Sequence, residues 1–113
     1  EIFERIAESD PDNFGAQRDL SVPHEKMGNV FLQTGRTKEA LEQFKKCLSI
    51  RQKLATSQPQ DPRAQSDLSY AHNKIGDIHF QVGELDSAIE EFQISLAISK
   101  KLVENSPEYS RAF

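Results

Sequence analysis

Shifted by 48 residues, the sequence aligns with itself without a gap: residues 18–65 against 66–113 give 18 identities. Among them are Asp19/Asp67, Leu20/Leu68, Ser21/Ser69, His24/His72, Gly28/Gly76, Gly35/Gly83, Ala40/Ala88, Phe44/Phe92 and Leu54/Leu102. A fixed period of this length marks a repeat architecture, in which one unit cannot bury its apolar face alone and neighbours must stack on it. The shift also carries back: Ile2, Ile6, Ala7, Ser9 and Pro11 match Ile50, Leu54, Ala55, Ser57 and Pro59. Residues 1–17 are therefore expected to be the tail of a preceding repeat and a linker. Residues 18–65 form one repeat, and 66–113 a second repeat with the start of a following one. The chain begins with Glu1 rather than Met, and a slice of a longer array is the expectation.

Each repeat reads as two helices. In the second copy the first is predicted over about 63–82. Asp61-Pro62 is a start signal, because Asp accepts from a free helix N–H and Pro at the first helical position lacks an N–H that has no partner anyway. Leu68, His72, Ile75 and His79 follow at spacings of four, three and four, which is one helix face. Gly83 closes it by tolerating a left-handed turn. The second helix is predicted over about 85–105, with Ala88, Ile89, Phe92, Leu96, Leu102 and Val103 on one face. Its acidic start and its Lys100 and Lys101 suit the helix macrodipole. In the first copy Gly35 is the turn and Thr37 the expected cap. Pro23 stands where the second copy has Ala71. Proline inside a helix costs about 3 kcal/mol and removes one backbone bond, so a kink or break between Asp19 and Pro23 is predicted, with Ser21 recapping the helix.

Two helices joined by about three residues lie antiparallel. Only one stripe per helix then needs to be apolar, which accounts for a hydrophobic content of 36% beside 28% charged residues. The fold class that follows is all-α, with antiparallel helix pairs stacked as a solenoid.

Several function classes are excluded. No strictly apolar run exceeds three residues, against the roughly 20 that a membrane span needs. Net charge is -4 with no run of five basic residues, so nucleic-acid binding, which rests on clustered Lys and Arg, is not expected. A phosphate-cradling Gly loop, a Gly-x-Ser-x-Gly elbow and a His-Glu-x-x-His pair are all missing, so no catalytic residue and no cofactor is assigned. His24, His72 and His79 lack the Cys or carboxylate partners of a four-ligand zinc set, and no metal is assigned. His24 and His72 recur one repeat apart, which argues for a structural role. Cys47 is the single cysteine. It aligns with Ser95 and reads as a buried, inert thiol. A cytoplasmic setting is the expectation.

The pattern resembles the tetratricopeptide repeat: a large residue, x2, an apolar residue, Gly, x2, an aromatic, and later Ala-x3-Phe. The first copy has His24-x2-Met27-Gly28-x2-Phe31 and Ala40-x3-Phe44; the second has His72-x2-Ile75-Gly76-x2-His79 and Ala88-x3-Phe92. The departures are histidine in place of the usual aromatic, and Gln52 and Lys100 where the family closes with Pro. The second helix instead continues about two turns further, to Pro59 and Pro107, as in the similar long-helix repeats of kinesin light chains and large bacterial signalling proteins.

The resemblance implies a protein–protein interaction module with a concave groove that takes an extended or helical segment of a partner. On the first helix of each pair, the positions implied to line it are Val22, Glu25, Asn29, Leu32 and Gln33, and Tyr70, Asn73, Asp77, Phe80 and Gln81. Packing of Leu32 and Phe80 against a neighbouring first helix is the other reading of those positions. Glu25 and Asp77 disfavour an acidic ligand and point to a basic or neutral segment. Two other roles stay open: a structural spacer or self-assembly segment, with association through the ends of the array, and a regulatory arm of a multidomain signalling enzyme.

Overall fold

Asn13 starts the first helix by accepting the Ala16 N–H on its side chain at 3.0 Å, which satisfies one of the free N–H groups of a helix start. The computed structural model describes residues 13–105, and these form four helices: α1 (Phe14–Gln33), α2 (Thr37–Ser57), α3 (Pro62–Gln81) and α4 (Leu85–Glu104). α3 begins and ends 48 residues after α1, and α4 begins 48 after α2. No strand occurs among the described residues.

Both pairs close on the same turn. Gly35 and Gly83 have φ of 77° and 83°, a region that glycine enters without steric cost. The Arg36 N–H donates to the Phe31 carbonyl at 2.8 Å and the Gly35 N–H to Leu32 at 3.2 Å. In the second pair Glu84 donates to His79 at 2.8 Å and Gly83 to Phe80 at 3.1 Å. This pair of bonds is the Schellman closure of a helix C-terminus. α3 starts as its sequence predicts, with Asp61 accepting from the Arg63 N–H at 2.9 Å and Pro62 in the first turn. Gln65 ties α3 to the helix before it, its side-chain amide donating to the Ala55 carbonyl at 3.1 Å.

Two local expectations are corrected. Thr37 is the first residue of α2 rather than its cap; Arg36 holds the cap position and no side chain bonds there. The turn's bonds close the end of α1, and α2 starts with no side-chain cap on its first N–H groups. α1 is also continuous through Pro23, so the expected break does not occur, and Ser21 does not recap the helix. Ser21 is fully buried, and its hydroxyl donates back to the Arg18 carbonyl at 2.7 Å. The cause lies in α2. Arg51 donates to the Ser21 hydroxyl at 3.1 Å and to the Glu25 carboxylate at 2.6 Å. Those partners stand on either side of Pro23, so one guanidinium splints the helix across its weak point. Pro23→Ala restores the missing donor to the Asp19 carbonyl and is expected to stabilise the protein by about 1–3 kcal/mol. Urea denaturation measures it; an unchanged or lower midpoint would show that the proline costs nothing here.

The core runs along the junction between pairs. Ala40 and Phe44 of α2 meet Ile75 and Ile78 of α3, with Phe31, Leu32, Leu41 and Leu48 packed around them. Neighbours in sequence are neighbours in space: α1 packs on α2, α2 on α3, and α3 on α4. The chain measures 43 × 40 × 19 Å, the thinnest dimension being about two helix diameters. This is the one-layer stack that the low apolar content implies.

Candidate functional site

Helical spacing places the expected binding positions in one row on α1 and one on α3. The two rows are not equally open. On α3, Tyr70 is 37% exposed and Phe80 61%; Asn73 and Gln81 are exposed and Asp77 half-buried. On α1, Gln33 is exposed, while Val22, Glu25, Asn29 and Leu32 are half-buried. Leu32 packs against the core at the α2–α3 junction. Glu25 is bound to Arg51. Two members of the α1 row are thus engaged inside the protein, and the α3 row offers two aromatic side chains to solvent.

Tyr70 sits among cations. The Arg51 guanidinium carbon lies 5.8 Å from its ring centroid, and the Lys74 ammonium 5.5 Å. Both are within the range at which a cation is attracted by the ring. Beside Tyr70 a shallow open depression of about 590 Å³ is lined by Ser66, Ser69, Asn73, Phe92, Ser95, Leu96 and Ser99. Its floor is hydroxylic: Ser69 bonds Ser95 Oγ at 2.9 Å and Ser99 Oγ at 3.2 Å.

The depression and the Arg51 site occupy equivalent positions in the two repeats. Ser21, Cys47 and Arg51 align with Ser69, Ser95 and Ser99. In the first repeat this place is filled by a buried guanidinium, which also donates to the Asp67 carbonyl of α3 at 3.3 Å. The Asp67 carboxylate accepts from Arg18 of α1 at 2.7 Å, and that bond raises the Arg18 pKa further. Arg18, Arg51, Glu25 and Asp67 therefore form a polar lock joining the two repeats. Arg51 belongs to none of the repeat motif positions. One signal was available: a charged residue on the apolar stripe of α2, in step with Ala40, Phe44, Cys47 and Leu54.

The histidines act as staples within each pair. His24 Nδ1 is 2.8 Å from the Gln43 amide oxygen, and His72 Nδ1 is 2.6 Å from a Glu91 oxygen. His79 stands at the second turn, 3.6 Å from Glu84. The first repeat has Phe31 and Arg36 at those positions, with the guanidinium 5.0 Å from the ring centroid. The contact is kept while its chemistry changes from cation on ring to imidazole beside carboxylate. Cys47 is fully buried, and desolvation pushes its thiol up to about 11. The thiolate is the reactive form, so this cysteine is inert while folded. Among the described residues no cluster of His, Cys, Asp or Glu is placed to hold a metal ion, and no helix is long and apolar enough to cross a membrane.

Among the described residues the site is an open row of aromatic and amide side chains on α3. Compared with known proteins, the chain is matched by a family model described as Tetratricopeptide repeat, over residues 24–54 and 69–102. No curated protein and no solved structure matches it.

Proposed function

The chain belongs to the tetratricopeptide repeat family, and on that premise we propose that the α3 row is a docking site for an extended or helical segment of another protein. Repeats of this family are generally protein–protein interaction modules. The observation that carries the proposal is the exposure of Tyr70 and Phe80 in one line with Asn73, Asp77 and Gln81.

Aromatic side chains supply rigid contact area at low entropy cost. The Asn73 and Gln81 amides both donate and accept, which suits the backbone of a bound segment. The Glu25 carboxylate is already paired with Arg51, so Asp77 is the acidic side chain left to meet a ligand. A neutral or basic segment fits this row better than an acidic tail. Recognition here involves no chemical step.

The test is a peptide selected from a random library on the intact chain, then measured against Tyr70→Ala/Phe80→Ala. Hot-spot aromatics are each worth about 2 kcal/mol or more, so the double variant is expected to lose at least roughly 100-fold in affinity with helicity unchanged. Undiminished binding would remove the row from the function. The exposed apolar side chains Met27 and Val30 of α1 and Ile89 and Leu96 of α4 favour a second reading, association between copies of the chain.

A further inference from the structure

Resting on that second reading, we propose that copies of this chain associate head to tail, α1 of one docking on the α3–α4 face of the next in the register that joins α2 to α3 within the chain. The internal repeat shows what each open surface accepts. Ile75 and Ile78 of α3 are buried, 2% and 1% exposed, because they enter the surface made by Ala40, Phe44, Leu41 and Leu48. One repeat earlier, the residues aligned with them on α1 are Met27 and Val30. These are 46% and 56% exposed. One repeat later, the residues aligned with Leu41 and Leu48 are Ile89 and Leu96. These are 51% and 68% exposed. α1 and α4 therefore each carry one half of a contact that α2 and α3 make in full.

The two halves differ, so the contact is heterologous. A heterologous contact propagates into an open chain or a ring and does not stop at a dimer. It is also weaker than the internal junction. The polar lock is not reproduced, because Ser66 and Ser99 replace Arg18 and Arg51, and they face Asp19 in place of Asp67. The contact is expected to be reversible and visible only at high concentration.

The test uses the full chain with Val30→Glu, which spoils the head, and Leu96→Glu, which spoils the tail. Sedimentation of the wild-type chain from micromolar to millimolar concentration should show a mass that keeps rising past the dimer. Burying an unpaired carboxylate should weaken association at least roughly 30-fold in either variant, leaving each a monomer. An equimolar mixture of the two retains one intact head and one intact tail, so it should form a one-to-one dimer and nothing larger. That rescue also shows that both variants are folded. A wild-type chain that stays monomeric overturns both the association reading and this register. Association that survives in either variant, or a mixture that stays monomeric while the wild type associates, overturns the register alone.

Discussion

Gly28→Leu is expected to abolish cooperative folding. A Cβ placed on Gly28 would lie 2.6 Å from Phe44 Cε2, 2.8 Å from Cδ2 and 2.9 Å from Cζ. The Phe44 ring is fully buried at the junction between the repeats, so it has nowhere to retreat. A whole leucine side chain forced into that contact should cost about 4 kcal/mol or more, a large part of the stability of any domain this size. Gly28→Ala is the finer probe. Alanine regains about 1 kcal/mol of helix propensity, yet its Cβ meets the same ring, and a net loss of about 1–2 kcal/mol is expected. Gly76 makes the same contact in the second repeat, with Phe92 Cε1 at 2.7 Å. Phe92 is only half-buried, on the open face of α4, and its ring has room to move. Gly76→Ala should therefore cost less than Gly28→Ala, and Gly76→Leu should still lower the melting temperature by about 10 °C or more. Equal melting temperatures for Gly76→Leu and the wild type would contradict the packing described.

The second large effect is expected at Glu25. Its carboxylate accepts from Arg51 at 2.6 Å, and the arginine side chain is 4% exposed. Glu25→Ala strands that guanidinium on the Ser21 hydroxyl and a backbone carbonyl, with no charge against it. Removing one partner of a buried pair is costly, about 3 kcal/mol here. The same change also removes the splint across Pro23, so it should destabilise α1 in particular. Replacing both partners, Glu25→Leu with Arg51→Met, leaves no stranded charge and should recover about half of the loss. Urea denaturation of the single and double variants forms the cycle. If Glu25→Ala unfolds at the wild-type midpoint, the lock is an ornament of the surface and not part of the junction.

Much of the fold was legible because the repeat states it twice. The turns at Gly35 and Gly83 and the start at Asp61-Pro62 follow from local sequence or from the shift. What escaped depends on contacts distant in sequence. Pro23 looks like a break when α1 is read alone; it is tolerated because Arg51, nearly thirty residues later, grips both sides of it. Thr37 has the residue type of a cap, but the glycine turn sets the start of α2 so that Arg36 holds the cap position and Thr37 is already helical. The binding rows look equivalent in sequence, yet Leu32 is engaged by α3 while Phe80 has no following helix among the described residues to meet. Exposure at a repeat position depends on its neighbour in the stack, and the residue itself does not carry that information.

The central claim is that recognition takes place on the row that runs along α3. Titrating the isotope-labelled chain with a library-selected peptide, and following backbone and side-chain amide signals by NMR, tests it most directly. The account predicts the largest shifts at Tyr70, Asn73, Asp77, Phe80 and Gln81, weaker ones at Asn29 and Gln33, and none along the solvent face of α2. Shifts centred on α2, or on Ile89 and Leu96 with the α3 row silent, would contradict it.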